Sequence, residues 1–413
     1  MARHLSPFHS LRLSSEDELA VIQQASAVLH QTLALETEYR RQGAKVDTKE
    51  WKKVSTIDDF HVYKQRRRAR READAKSLRG TVIEEEEIAP PELFSMREDL
   101  SSKHWRISVD DTLENTAASS SSSGDCGDER RVPRILCAGN VEGTLEDFMY
   151  GVYDGDDVAW RVRTAYIKDK FADARILATI HAPTEDDPCR FLGIKWFSTE
   201  YPPLVGTFIQ KRDVLVIEAM GITKDEHGVP YGYYLMHDFH HPSLPSRTDS
   251  GVVRLKFNLC FINRQVSSDR IGQYARGHVD PGGSLPSSVS VAIAAISLAS
   301  TANSVETAYN KKLSWLMTQQ QHTRRSTLSS APTSVCASCK KSSMGLLSRG
   351  PTNCHVCGLS HCSKCTVERK LVVDIYAPQV TLRALPFCFG CVLRAKQLVP
   401  MDLARVTNMK KQS

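Results

Sequence analysis

"RDVLVIEAMGITKDEHGVPYGYYLMHDF", from Arg212 to Phe239, reads as two strands joined by a turn. The runs Arg212 to Ile222 and Pro230 to Phe239 are rich in β-branched and aromatic residues, and "KDEHG" between them is a cluster of turn formers. A connection that short cannot carry a crossover helix, so the two runs are expected to pair antiparallel. The pattern continues on both sides. "RILATI" (Arg175 to Ile180), "FLGIKWF" (Phe191 to Phe197) and "VVRLKFNLCFI" (Val252 to Ile262) are further strands, set apart by turn clusters such as "TEDDP" and "PSLPSRTDSG". From Val132 to about Met317 the sequence therefore predicts an antiparallel meander, not a parallel doubly wound sheet. A long helix closes it, with Pro286 near its start and small, apolar residues running to Met317. Such a helix beside a curved sheet can roof a cavity.

Ahead of the strands, Ser14 to about Arg41 predicts one helix: Ser14 or Ser15 is the N-cap, acids fill the first turn, and Arg40 and Arg41 end it. Leu19, Ile22, Ala25, Leu29 and Leu33 recur at three- and four-residue steps, so one face packs on the next domain or on a second copy as a coiled coil. A basic run (Lys64 to Arg79) and the acidic Glu84 to Glu87 read as a solvated tether, with nuclear import or contact with an anionic surface as the functional alternative. Thr116 to Glu129 is serine-rich low complexity and is expected to be a loop.

At 413 residues with 41% hydrophobic composition, the chain can hold two or three folded domains. A net charge of +6 is too mild and too patchy to argue for nucleic acid as a partner. No secretory h-region opens the sequence, and the longest apolar run, Val289 to Ser300, is too short to span a bilayer. The expectation is a cytoplasmic protein, peripheral on endosomal or other endomembranes.

Of twelve cysteines, Cys126, Cys137, Cys189 and Cys260 stand alone. The other eight form four Cys-x2-Cys pairs: Cys336 and Cys339, Cys354 and Cys357, Cys362 and Cys365, Cys388 and Cys391. In a reducing compartment, paired cysteines this dense point to metal rather than to disulfides. Four pairs suit two tetrahedral four-thiolate zinc ions, each able to supply on the order of 10 kcal/mol toward folding a segment with little core of its own. With four protein ligands apiece no position stays open, so the zinc is structural rather than catalytic. The four residues between Cys357 and Cys362 are too few for neighbouring pairs to share an ion comfortably. A cross-brace relieves this, with the first and third pairs on one zinc and the second and fourth on the other.

Other candidate chemistry is weak. His237, His240 and His241 lie close in sequence, but no acid is spaced to join them and Pro242 ends the strand. There is no nucleophile elbow, glycine-rich phosphate loop or H-E-x-x-H. The lone cysteines read as small buried hydrophobes. No enzyme is expected.

Two resemblances follow from these motifs. "GNVEGTLEDFMYGVY" (Gly139 to Tyr153), "RDVLVIEAMGI", "GYYLMHDF" and the closing helix resemble START-like, lipid-transfer-related domains. The resemblance implies a helix-grip fold, a sheet wrapped around a long C-terminal helix and an apolar tunnel for a lipid, and it fixes no ligand residues by motif. The cysteine frame, with Gly358 after the second pair and "CSKC" as the third, resembles a FYVE-type finger, which implies the same cross-brace and a phosphatidylinositol 3-phosphate site. Here the basic set that would grip that headgroup is depleted. "LSSAPTSV" precedes the first pair, "RGPTN" the second, His355 stands where an arginine is usual, and Pro386 and Phe387 precede the last pair. Nine Lys or Arg between Cys336 and Lys396 still outnumber Glu368 and Asp374, enough for weak attraction to an anionic surface, with Met344 to Leu347 at the family's membrane-inserting loop.

The expected architecture is α+β: a START-like helix-grip domain followed by a small cross-braced two-zinc finger. Its expected divisions are a helical region (1–60), a charged linker (61–89), the START-like domain (90–317), a linker (318–331), the finger (332–398) and a tail (399–413). The expected function is non-enzymatic lipid binding with targeting to endomembranes or phosphoinositides. The alternative is an adaptor whose finger binds a partner protein.

Overall fold

The computed structural model describes residues 8, 10–66, 105–106, 134–167, 171–199, 210–246, 250–282, 291, 295, 298, 301–324, 335–342, 350–375 and 380–412. The basic run beyond Arg66, the acidic cluster, the serine-rich segment and Met344 to Leu347 lie outside them. The chain divides into two compact units: Met1–Glu142 with Lys170–Ala182 and Phe191–Ala302, and Gly143–Asp169 with Pro183–Arg190 and Asn303–Ser413.

Alternating apolar residues build the first unit around one ten-stranded sheet. Its strands are β1 (Trp51–Ile57), β2 (Asp59–Gln65), β3 (Trp105–Arg106), β4 (Arg134–Glu142), β5 (Phe171–His181), β6 (Phe191–Thr199), β7 (Arg212–Lys224), β8 (Pro230–Asp238), β9 (Val253–Ser267) and β10 (Arg270–Asp280). They lie in the order β3-β1-β2-β4-β10-β9-β8-β7-β6-β5. Consecutive strands from β5 to β10 are antiparallel neighbours, which is the meander expected from the turn spacing. One short parallel pairing, Arg212–Val214 with Val253–Leu255, links β7 to β9.

Helix α1 (Ser15–Arg41) starts at a reciprocal cap: the Asp17 amide donates to Ser14 Oγ and the Ser14 amide to the Asp17 carboxylate, both at 3.1 Å. It lies over one face of the sheet. Val21 and Ala25 are buried with Leu192, Ile194, Trp196, Leu215, Ile217, Leu235 and Ile262, while Ile22, Leu29 and Leu33 pack at the edge of that cluster. Leu19, read as part of the buried stripe, is exposed instead. Near the helix end Tyr39 meets Tyr274 with ring centroids 4.9 Å apart, and Arg264 of β9 reaches Glu36 at 3.2 Å and Asp225 at 2.8 Å. The apolar stripe of α1 is therefore used on the sheet of its own chain.

Residues 51–65 differ from the sequence reading. Assigned there to the end of a helical region and the start of a linker, they form β1 and β2, and β2 pairs with β4 from Asp59↔Asn140 to Lys64↔Ile135. The sheet thus begins well before residue 90. Short strands such as "WKKVSTI" and "DFHVYKQ", each with three apolar residues among polar and charged ones, carry too few to stand out.

The second unit holds α2 (Leu145–Val152), α3 (Asp157–Ile167), α4 (Ser304–Arg324), the cysteine-rich segment, α5 (Phe389–Gln397) and α6 (Pro400–Gln412). Helices α2 and α4 approach so closely that a Cβ on Gly151 would fall 1.8 Å from the Ser304 carbonyl oxygen. Adjacent lysines of α4 hold α2 at both ends. Lys311 Nζ donates to the carbonyls of Tyr150, Gly151 and Tyr153 at 2.9, 3.0 and 3.1 Å, which satisfies acceptors a helix C-terminus leaves open. Lys312 Nζ lies 2.6 Å from an Asp147 carboxylate oxygen in the first turn and donates to the Lys396 carbonyl at 3.0 Å.

The cysteine-rich segment folds as two hairpins and a helix: β11 (Thr352–Asn353) with β12 (Ser360–His361), β13 (Thr366–Asp374) with β14 (Thr381–Cys388), then α5. Leu313, Leu316 and Met317 of α4 share one core with Val356, Leu371, Leu385, Phe387 and Ala395. The closing helix was expected to stop at Met317 before a linker, but α4 continues to Arg324. It is preceded by a 3-10 turn at Thr301–Asn303. The expected tail is helical too: in α6, Arg405 Nε and Asn408 Nδ2 each donate at 2.9 Å to the carbonyls of Glu185 and Pro188.

Candidate metal centres and a buried polar diagonal

The eight paired cysteines come together as two groups, Cys336, Cys339, Cys362 and Cys365, and Cys354, Cys357, Cys388 and Cys391. Within each, the sulfurs lie within 4.8 Å of one another. Cys339 and Cys362 sulfurs are 3.7 Å apart, and Cys357 and Cys388 sulfurs 3.8 Å. Four sulfurs at about 2.3 Å from a tetrahedral zinc stand about 3.8 Å apart, so both groups fit such an ion. Donor sets of four cysteines with no other donor close the sites, which suits a folding role.

Each group takes one pair from a tight turn and one from a helix start. After Cys339 and after Cys357 the backbone turns left-handed, at Lys340 (φ 60°) and Gly358 (φ 68°). There the amides of Lys340 and Gly358 donate to the Cys336 and Cys354 carbonyls at 2.9 and 2.7 Å. The other pairs lie at a 3-10 turn (Ser363–Cys365, after Cys362) and at the first turn of α5 (after Cys388). Amides of Cys339 and Cys362 aimed at Cys336 hold its thiol down at about 5.

Among the described residues these are the two groups able to hold a metal. His241 Nδ1 is 2.7 Å from Ser243 Oγ and His237 Nε2 is 3.5 Å from Gln24, so the three histidines do not gather around an acid. Cys137, Cys189 and Cys260 are fully buried, and burial pushes all three thiols up, Cys260 to about 12. Cys126 lies outside the described residues. A cleft lined by Glu306, Tyr309, Leu313, Arg369 and Lys396 has a volume of about 10 Å³, room for one water molecule at most.

On the sheet face away from α1, apolar side chains dominate: Phe60, Val62, Ile135, Val214, Val216, Met220, Leu259, Phe261, Ile271 and Ala275 are all buried. Polar groups cross this face along one diagonal. Lys195 of β6 is 0% exposed and lies 2.6 Å from Glu218 of β7, with its ammonium 4.8 Å from the Phe191 ring centroid. Tyr234 Oη of β8 donates to the other Glu218 oxygen at 3.4 Å. One strand further, Gln273 Nε2 of β10 donates to Asn263 Oδ1 of β9 at 2.9 Å. The register places Lys195 opposite Val216, Glu218 opposite Met236 and Tyr234 opposite Phe261, so the line advances diagonally from β6 to β9 and then passes level to Gln273, the direct partner of Asn263 on β10. Sequence reasoning passed over it, although Lys195 and Glu218 are lone charges inside apolar strand runs and that pattern is a usable signal.

No protein-family model matches the chain, and no curated protein matches it. Some solved structures resemble it. Human StAR-related lipid transfer protein 5 is 16% identical, with 70% of this chain and 97% of that chain covered at a TM-score of 0.39. Human STARD10 is 13% identical, covering 69% and 82% at 0.37. The STAR-related lipid transfer protein of Xanthomonas axonopodis is 11% identical, covering 62% and 96% at 0.33. Similarity at this level leaves function to be argued from the residues of this chain.

Proposed function

We propose that this protein is a non-enzymatic lipid-binding protein, in which the START-like unit takes a lipid against the sheet face away from α1 and two zinc ions hold a FYVE-like finger that docks at endomembranes. The Lys195–Glu218 pair carries the reading. Burying an ion pair rarely stabilises a fold more than apolar residues of the same volume would. A charged pair kept inside an apolar sheet face is then better explained by a ligand with a polar end and an apolar body. The zinc ions would be held by the two cysteine groups and would supply folding energy to the hairpins and α5. Lipid transfer is the test: the full chain is incubated with donor vesicles carrying radiolabelled lipids and then separated from them. Label recovered with the protein supports the reading, and none above a protein-free control rejects it.

A second reading, the protein-docking adaptor, has its own observation. Phe389 and Leu393 stand one turn apart on α5 and are 50% and 59% exposed, an apolar strip on a finger short of headgroup-binding arginines. Flotation of the full chain on vesicles with and without phosphatidylinositol 3-phosphate separates the two. Recovery that depends on the phosphoinositide supports targeting by lipid, and equal recovery in both supports the adaptor.

A further inference from the structure

The two cysteine groups are not equally sheltered. Cys354, Cys388 and Cys391 are buried in the core that Leu313, Leu371, Leu385 and Phe387 complete, and the half-buried Cys357 packs against it. His361, itself buried, sets its Nε2 3.5 Å from the Cys357 sulfur. In the other group Cys336 is buried and Cys362 and Cys365 are half-buried, but Cys339 is exposed. Among the described cysteines it is the exposed one.

The turn that carries Cys339 adds nothing to the apolar core. Ser338, Lys340, Lys341 and Ser342 are exposed with it, and Val335 is exposed too. Polar contacts fasten this turn: the Cys336 amide donates to the Lys341 carbonyl at 3.0 Å and the Ala337 amide to the Ser360 carbonyl at 2.9 Å. A segment with few apolar contacts and exposed hydrogen bonds opens more readily than one set in a core. A second sulfur is within reach. That of Cys362 lies 3.7 Å from that of Cys339, so a bond of about 2.0 Å asks only for a small movement of an exposed turn. An accessible thiolate poised beside a resolving cysteine is the arrangement that peroxides oxidise.

We propose that Cys339 is a site of oxidation by peroxides, and that its disulfide with Cys362 opens the first cysteine group while the second keeps its metal. This rests on the two-zinc reading above and gives the two sites different fates toward an oxidant. The Cys339 thiolate attacks one peroxide oxygen, the O–O bond breaks and hydroxide leaves, which makes a sulfenic acid. The Cys362 thiolate then attacks the Cys339 sulfur, the S–O bond breaks, a second hydroxide leaves and the S–S bond forms. Two electrons pass from the two thiolates to one peroxide. Cys336 and Cys365 remain, half of the four ligands that a closed zinc site needs.

The test treats the zinc-loaded full chain with hydrogen peroxide. Released zinc is read with a chromophoric chelator, bound zinc by native mass spectrometry and disulfides by unreduced peptide mapping. One zinc ion leaves about tenfold or more faster than the other, and the chain that keeps one zinc carries a Cys339–Cys362 disulfide. Dithiothreitol with added zinc restores the second ion. Cys339→His keeps a fourth ligand and removes the attacked sulfur, and its first zinc leaves about tenfold more slowly than that of the wild type. The disulfide map uses the unmodified protein, so it decides the matter even if the variant misfolds. Loss of both ions together, loss from the second group first, or a disulfide that excludes Cys339 overturns the proposal and leaves the two-zinc reading standing. So does retention of both ions at a peroxide concentration that oxidises the metal-free chain. A chain that takes up fewer than two zinc ions at the outset removes that reading and the proposal together.

Discussion

His361 lies between the two cysteine groups, its Nε2 3.5 Å from Cys357 Sγ, with its Nδ1 2.9 Å from Ser338 Oγ in the turn of the other group. With the proton on Nε2, the ring donates to the sulfur and accepts the serine hydroxyl. The residue is 3% exposed, so both bonds are sheltered from water. A hydrogen bond to a ligating thiolate orients it and tempers its charge. His361→Phe keeps the volume and removes both bonds. The expected result is about tenfold faster zinc loss to a chromophoric chelator from one of the two sites, with two zinc ions still bound at the start.

Lys340 and Gly358 hold equivalent left-handed positions, but only one of them is glycine. A side chain there costs about 1–2 kcal/mol. Lys340→Gly is expected to raise stability by about 1 kcal/mol, and Gly358→Ala to lower it by a similar amount. Chemical denaturation of the zinc-loaded chain checks both.

Metal removal reaches past the finger, because Leu313, Leu316 and Met317 of α4 share a core with the hairpins and α5. Chelation is expected to strip amide-exchange protection from β13, β14 and the residues around Leu316 while β7 to β9 keep theirs. Protection retained around Leu316 would mean that this core stands without metal.

Lys312 and Asp147 are both buried and 2.6 Å apart. Lys312→Met leaves the carboxylate without its cation and should cost about 3–5 kcal/mol, and adding Asp147→Asn should recover part of the loss. Thermal unfolding of the single and double variants measures the coupling.

Lys311 supplies a pH dependence. Burial lowers it from 10.5 to about 8. Between those two values the unfolded chain binds the proton and the folded chain does not, so this contribution to stability grows as pH rises from about 8 toward 10.5 and is lost as pH falls through about 8. Lys311→Met should flatten that slope in urea titrations, whatever it does to absolute stability.

The strands of the meander, the N-cap at Ser14 and the grouping of cysteines were legible because each rests on local pattern: period-two apolar runs, a capping side chain, a two-residue spacing. Trp51–Gln65 was not, since short edge-side strands with few apolar residues owe their pairing to β4, which lies about seventy residues further on. Helix α2 was missed as a helix because "LEDFMYGV" is short and apolar on most sides, and its support comes from Lys311, Lys312 and the Gly151 approach on α4. The polar diagonal escaped for the same reason: Lys195, Glu218, Tyr234, Asn263 and Gln273 are scattered in sequence and meet only through register.

Native mass spectrometry of the full chain purified from eukaryotic cells tests the central claim most directly. The account predicts a mass of protein plus two zinc ions plus one lipid, with the lipid lost under activation before the zinc. A chain that carries two zinc ions and no lipid, in every charge state and after incubation with lipid-loaded vesicles, would contradict it.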